Sequence, residues 1–225
     1  MITPREYLSW SSMDQLERNP ERWKETYLFG RKMRINSGMA FGKKMADGLE
    51  DGDLSGDPVL DIVMERLPKF EIMDKVVEDP KGVWVNYFDP KLKKTVRIQV
   101  PALKDGKRKI PILAKLDTMK ADGSAFKEYK TGQEPWTQKK ADQSGQVTFY
   151  SATLFIKNGK IPADIELDYV QTAKGINGPL DARIGATGDI RRFHTVRHMG
   201  EVLNMMVRMK KAWEKIEKIT EEELL

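Results

Sequence analysis

The dipeptide Asp122-Gly123 lies between two segments in which apolar and polar residues alternate, residues 110–120 and 125–130. Asp-Gly in that setting is a strong local signal for a β-hairpin, because the turn needs a positive φ that glycine adopts without steric cost. A two-residue turn centred there fixes the register of the pair. Asp117 then faces Glu128, Met119 faces Phe126 and Lys115 faces Lys130. Any fold of this chain has to accommodate that antiparallel pair.

The surroundings of the hairpin set the fold class. Alternation and turn residues place further strands at residues 70–78, 83–88 and 95–100, separated by Asp79-Pro80-Lys81-Gly82, Asp89-Pro90-Lys91 and Lys104-Asp105-Gly106-Lys107. This reads as a meander. Upstream, Ser11 and Ser12 cap a first helix, and Asn19-Pro20 starts a second over residues 21–28. Apolar spacing gives a third helix over 38–50 and a short fourth over 59–67. Downstream come a long helix over 136–156, an apolar and acidic strand over 165–171, irregular sequence over 174–189 and a last helix over 195–219. The expectation is an α/β fold of one domain over residues 1–225, a central mixed β-sheet flanked by helices, with N-terminal helices and a long C-terminal helix.

Composition narrows the chemistry. The chain has no cysteine, which excludes disulfides, thiolate-bound zinc and thiol nucleophiles. Its 39 Lys and Arg against 34 Asp and Glu give a net charge of +5, compatible with a phosphate-bearing partner. No apolar run reaches membrane-span length and the start lacks a signal-peptide pattern, so the expected location is the cytoplasm, without a membrane partner.

Two carboxylates opposed across a hairpin, with Cβ atoms about 4.5–5.5 Å apart, repel each other unless something positive lies between them. An oxygen-ligated Mg²⁺ or Mn²⁺ meets that need. Lys130 follows Glu128 on the same face and is suited to orient or deprotonate a water. A surface hairpin of mixed charge, with Lys115, Asp117, Glu128 and Lys130 in weak diagonal salt bridges, is the other reading of these residues. The Met119 and Phe126 pair argues for a partly buried cleft instead.

Asp117, the run Glu128-Tyr129-Lys130-Thr131-Gly132, and a helix carrying Gln146-Val147-Thr148-Phe149-Tyr150 together resemble the PD-(D/E)XK nuclease superfamily in its RecB-type branch, which includes phage exonucleases. Ser9-Trp10-Ser11-Ser12 through Asn19-Pro20 is similar to that family's opening helices, and Gly42 through Leu49-Glu50 to its acidic helix. The resemblance covers residues 9–150 and implies a restriction-endonuclease-like core. It implies that Asp117, Glu128 and Glu50 bind the metal, that Lys130 acts on the attacking water, and that Gln146 and Tyr150 position the DNA strand. Two positions depart from the pattern. The family's frequent histidine falls on Ala46, and Asn19 stands where some relatives have a cluster cysteine, so no iron-sulfur cluster is expected.

Each of these residues also has a plainer reading. Glu50 could open a solvated loop, and the Gln146 and Tyr150 stripe could be a wet helix face. Arg191, Arg192 and Arg197, at the expected start of the last helix, form a candidate DNA-phosphate patch or a solvated basic helix end, and residues 104–109 a basic loop with the same two readings. His194 and His198 lack the glutamate of a zinc protease motif, residues 51–62 lack the closing glutamate of a calcium loop, and no phosphate-binding glycine loop occurs. The expected function is a Mg²⁺- or Mn²⁺-dependent DNA nuclease, an exonuclease of a phage-like or recombination and repair system. The alternative is a catalytically silent nucleic-acid-binding or assembly module. DNA is the expected partner, with a second copy of the chain or a recombination protein as further partners left open.

Overall fold

A computed structural model of the chain describes residues 7–31, 35–51, 56–67, 76–79, 83–89, 94–100, 110, 112–120, 122–174 and 184–224, with backbone only for 50, 51 and the strands between 76 and 100. The expected turns at 80–82 and 90–91, the basic loop 104–109 and the start of the strand at 70–75 lie outside these residues.

Ser9 caps α1 (Trp10–Arg18) by accepting the Ser12 amide. Ser12 is not the cap, because its hydroxyl is buried and accepts the Trp23 indole N–H at 2.9 Å. Asn19 and Pro20 start α2 (Pro20–Trp23) as expected, the Asn19 side chain accepting the Arg22 amide at 2.9 Å, and α2 continues into a π-helical turn, Lys24–Leu28. α3 (Ser37–Asp51) follows, then α4 (Pro58–Arg66), which is capped by Asp57.

The strands do not form one meander. β1 (Val76–Asp79) pairs antiparallel with β4 (Ile112–Lys115), and β2 (Val83–Asp89) with β3 (Lys94–Val100) as a separate ribbon. The main sheet runs β5 (Thr118–Met119), β6 (Ala125–Gly132), β7 (Asp164–Lys174) and β8 (Ile184–Thr195), with β6 and β7 parallel and the outer pairs antiparallel. The expected strand over 110–120 therefore breaks at Leu116-Asp117, where the chain passes from one sheet to the other. Lys115 consequently opposes Val76 of β1, not Lys130.

The hairpin keeps its expected register, with Thr118 opposite Lys127 and Met119 opposite Phe126. Its turn is wider than two residues: the Gly123 amide donates to the Lys120 carbonyl and the Lys120 amide to the Ala125 carbonyl. Gly123 has φ 68°, and a Cβ there would lie 2.2 Å from Asn158 Nδ2, so both conformation and space require glycine.

Three further elements differ from expectation. β8 occupies the end of the stretch read as irregular. The helix expected over 136–156 is two, α5 (Gln138–Asp142) and α6 (Gly145–Asn158), the second capped by Ser144. The break lets Gly145 approach Trp10, whose ring a Cβ would meet at 2.2 Å. α7 (Met199–Leu224) begins beyond residue 195 because Thr195 still belongs to β8, and the Glu201 carboxylate accepts the His198 amide just ahead of the helix at 2.8 Å.

One face of the main sheet, carrying Phe126, Ile165 and Leu167, packs against α1, α6 and α7 through Leu16, Val147, Leu154 and Met209. The other, carrying Tyr129 and Val170, packs against α3 and α4 through Phe41, Met45, Leu60 and Val63. The chain is thus an α/β fold with a mixed sheet flanked by helices, N-terminal helices and a long C-terminal helix. Among the described residues no helix is long and apolar enough to cross a membrane.

Candidate active site

At the bend between β4 and β5, Asp117 turns its carboxylate onto β6, where Oδ2 accepts the Tyr129 amide at 2.7 Å. The side chain thereby takes over a hydrogen bond that a continued strand would have supplied. It also brings a second negative charge up to Glu128, which is only 3% exposed.

Glu128 Oε1 accepts from Lys130 Nζ at 2.7 Å and from Gln146 Nε2 at 2.8 Å. Gln146 Oε1 accepts in turn from Lys130 Nζ at 2.8 Å, and Gln146 Nε2 also reaches the Tyr150 hydroxyl at 2.8 Å. The amide can point only one way, since an ammonium only donates. Gln146 and Tyr150 are one turn apart on α6, so the helix presents both to the strand.

Glu128 Oε2 is buried with no hydrogen-bond partner among the described residues. Burial, with the Asp117 charge added, pushes the Glu128 carboxyl up to about 8, against the opposing pull of Lys130. Because Oε1 already receives two donors, the proton held near neutral pH belongs on Oε2. An orphaned, proton-retaining oxygen beside a second carboxylate is the position a cation would take in place of that proton. Burial and the nearby Glu128 charge also raise the Tyr150 phenol, which stays neutral.

A cavity of about 520 Å³ opens over these groups. Asp117, Glu128 and Lys130 line it from the sheet, and Gly42, Met45 and Ala46 from α3. Gly42 allows the approach, since a Cβ there would sit 3.3 Å from Thr131 Oγ1. Among the described residues no set of three His, Cys, Asp or Glu is grouped to hold a metal. Asp117 and Glu128 line this cavity as a pair, and a second orphaned carboxylate oxygen, Asp168 Oδ2, is buried elsewhere on the sheet, where Arg192 holds the other oxygen of that carboxylate. The backbone of Glu50 belongs to α3, and its side chain lies outside what is described.

No protein-family model matches the sequence, and no curated protein does. In three dimensions the chain is similar to the crystal structure of a "putative exonuclease" from Eubacterium rectale, with a TM-score of 0.53 and 12% sequence identity, over 97% of this chain and 82% of that one. The likeness is one of fold.

The three arginines do not form the patch expected of them. Arg191 and Arg192 are neighbours on β8 and therefore point to opposite faces of the sheet. Arg197 is only 4% exposed, and its guanidinium donates to the Thr148 and Thr195 hydroxyls and to the Ala141, Ser144 and Val196 carbonyls. It ties the junction of α5 and α6 to the end of β8 and is not presented to a phosphate.

Sequence reasoning missed the partners of Arg192. Asp168 is fully buried and Glu166 nearly so, and Arg192 Nε lies 2.8 and 3.1 Å from their carboxylates. Lys127 Nζ adds a 2.6 Å bond to Glu166. Burial, then the Glu166 charge, raises the Asp168 carboxyl against the pull of Arg192. Acids alternating with apolar residues along β7 are the only signal the sequence carries of this cluster.

Proposed function

We propose that this chain is a metal-dependent DNA nuclease that hydrolyses phosphodiester bonds at Asp117, Glu128 and Lys130, acting as an exonuclease of a phage-like or recombination and repair system. The observation that carries the reading is the unpartnered, buried Glu128 Oε2 beside Asp117, with Lys130 bonded to the other oxygen of the same carboxylate. Two carboxylates suit Mg²⁺ or Mn²⁺, which commonly takes one or two from the protein and the rest from water and substrate phosphate. Asp117 and Glu128 would hold the ion, with Glu50 as a further acidic group. When bound, such an ion polarises the phosphoryl oxygen and stabilises the leaving group.

The chain's own residues have separable tasks. Lys130, held between Glu128 and Gln146, orients the attacking water and moves its proton. Gln146 fixes both Lys130 and Glu128, while Tyr150, only 6% exposed and packed in the core, buttresses Gln146 from behind and acts on the DNA strand only through it. Arg191 is retained as a phosphate contact and Arg197 is not. The likeness in fold to a protein named as an exonuclease supports this reading at the level of architecture.

One observation favours a second reading, a silent nucleic-acid-binding or assembly module: Ala46 lines the cavity from the helix where the resembling family often places a histidine ligand. Incubation with Mg²⁺ or Mn²⁺ and linear and circular, single- and double-stranded DNA separates the two. The nuclease reading expects cleavage of linear substrates that stops with chelator. Binding without cleavage of all four would establish the silent module.

A further inference from the structure

A second cavity, of about 500 Å³, adjoins the one over Asp117 and Glu128, and Gly38 and Thr131 line both. The two lie at the C-terminal end of β6, which is parallel to β7, and the carboxyl ends of parallel strands form crevices where ligands bind. The volume falls in the range of pockets that take one small-molecule-sized group, roughly 300–1,000 Å³.

Trp136 lines this second cavity, with Phe41 and Ile184 as apolar neighbours, Gln133 and Lys140 as polar ones, and Glu134 as an acidic one on its wall. Its indole is held in place from beneath. Tyr169 is fully buried, and its ring stacks with Trp136 at a centroid distance of 6.5 Å and an interplanar angle of 26°. The Tyr169 hydroxyl donates to the carbonyls of Gly132 at 2.5 Å and Glu134 at 2.8 Å, which pins the segment leading from β6 to α5. Lys140 Nζ donates to the Pro135 carbonyl at 3.0 Å. A partly buried indole stacked on Tyr169, with the segment ahead of it pinned at Gly132, Glu134 and Pro135, has the make-up of a stacking platform part of whose ordering cost is already met.

We propose that this cavity takes the nucleobase flanking the scissile phosphate of a single-stranded DNA end, stacked against Trp136. The proposal rests on the nuclease reading, since it runs the strand from Lys130 past Thr131 to Trp136. A base in this cavity is out of its stack and unpaired, so a duplex must fray or flip a nucleotide to be cut. Arg191 lies two strands from Lys130 in the same row of the sheet, through Tyr169, and is placed to meet the phosphate beyond.

The test uses the full chain in chelator, so that binding is read without turnover. Single-stranded oligonucleotides carry either a fluorescent adenine analogue or an abasic residue at one end, and are titrated with wild type, Trp136→Ala and Trp136→Phe. Wild type should quench the analogue, and Trp136→Phe should preserve the quench. Trp136→Ala should weaken binding of the intact strand about tenfold, yet change that of the abasic strand by about twofold or less. Wild type that binds without quenching either end overturns the proposal, as does equal weakening of intact and abasic strands. A wild type that cuts DNA but shows no base-dependent loss in Trp136→Ala refutes the stacking site alone. A base-dependent loss in a protein that never cuts refutes the nuclease reading and leaves the stacking site standing.

Discussion

Glu128→Gln should flatten the dependence of stability on pH and remove the stabilisation gained from a divalent cation. The carboxyl titrates at about 8 in the folded chain against an ordinary 4.5, so over that window the folded state holds a proton that the unfolded state releases. Raising the pH therefore favours unfolding. Stability is lost from about pH 4.5 upward and stops falling above about pH 8. Between about pH 6 and pH 9 this one group should cost wild type on the order of 2–3 kcal/mol, from 1.36 kcal/mol per unit of linkage. For a chain of this size that is a fall in melting temperature of roughly 5–10 °C. The difference between wild type and Glu128→Gln, followed by urea unfolding in chelator across that range, isolates the group from every other titration. Adding Mg²⁺ at about pH 9 should restore wild type and leave the variant unchanged, because the ion replaces the proton on Oε2. Parallel pH curves for the two proteins, or a wild type that gains stability as pH rises, would refute the reasoning.

Three other substitutions test the frame of the site. Arg197→Ala should cost about 3 kcal/mol or more in urea unfolding, since it strips partners from buried carbonyls and hydroxyls, and should leave the salt dependence of DNA binding unaltered. Gln146→Ala should slow cleavage roughly 10²-fold while Mg²⁺ affinity by calorimetry stays near wild type, because it removes one partner each from Lys130 and Glu128 Oε1, whereas Lys130 still holds Oε1 and Oε2 is untouched. Gly145→Ala should destabilise by about 1–3 kcal/mol, read as a lowered urea midpoint, because its Cβ would press into the Trp10 ring.

Much of the site was legible because it is local. The alternation on either side of Asp122-Gly123 fixed the partners of Thr118 and Met119, and the extension of that register placed Asp117 against Glu128 even though the strand bends at Asp117. Gln146 and Tyr150 were marked by the resemblance, whereas spacing alone read them as a wet face; in the fold Gln146 reaches Glu128 and Tyr150 is buried behind it. What failed depended on contacts distant in sequence. β8 contains Gly185 and Gly188 and sets Arg191 and Arg192 side by side, so no clean alternation marks it, and it is its pairing with β7 that seats Arg192 against Asp168 and Glu166. The break between α5 and α6 falls at Ser144, which caps α6, and sets Gly145 against a tryptophan 135 positions earlier in the chain. Arg197 looks like a surface cation in any short window, and only the meeting of α5, α6 and β8 gives its guanidinium five partners.

The claim that cleavage issues from this constellation is tested most directly by the rate at which wild type and Lys130→Met release nucleotides from linear single-stranded DNA with Mg²⁺. Lys130 contacts both Glu128 and Gln146 and is only partly exposed, so methionine keeps most of its packing and removes its donors. Wild type should cut, and Lys130→Met should cut about 10²-fold or more slowly while binding the same strand and melting at nearly the same temperature. Equal rates for the two proteins would contradict the assignment.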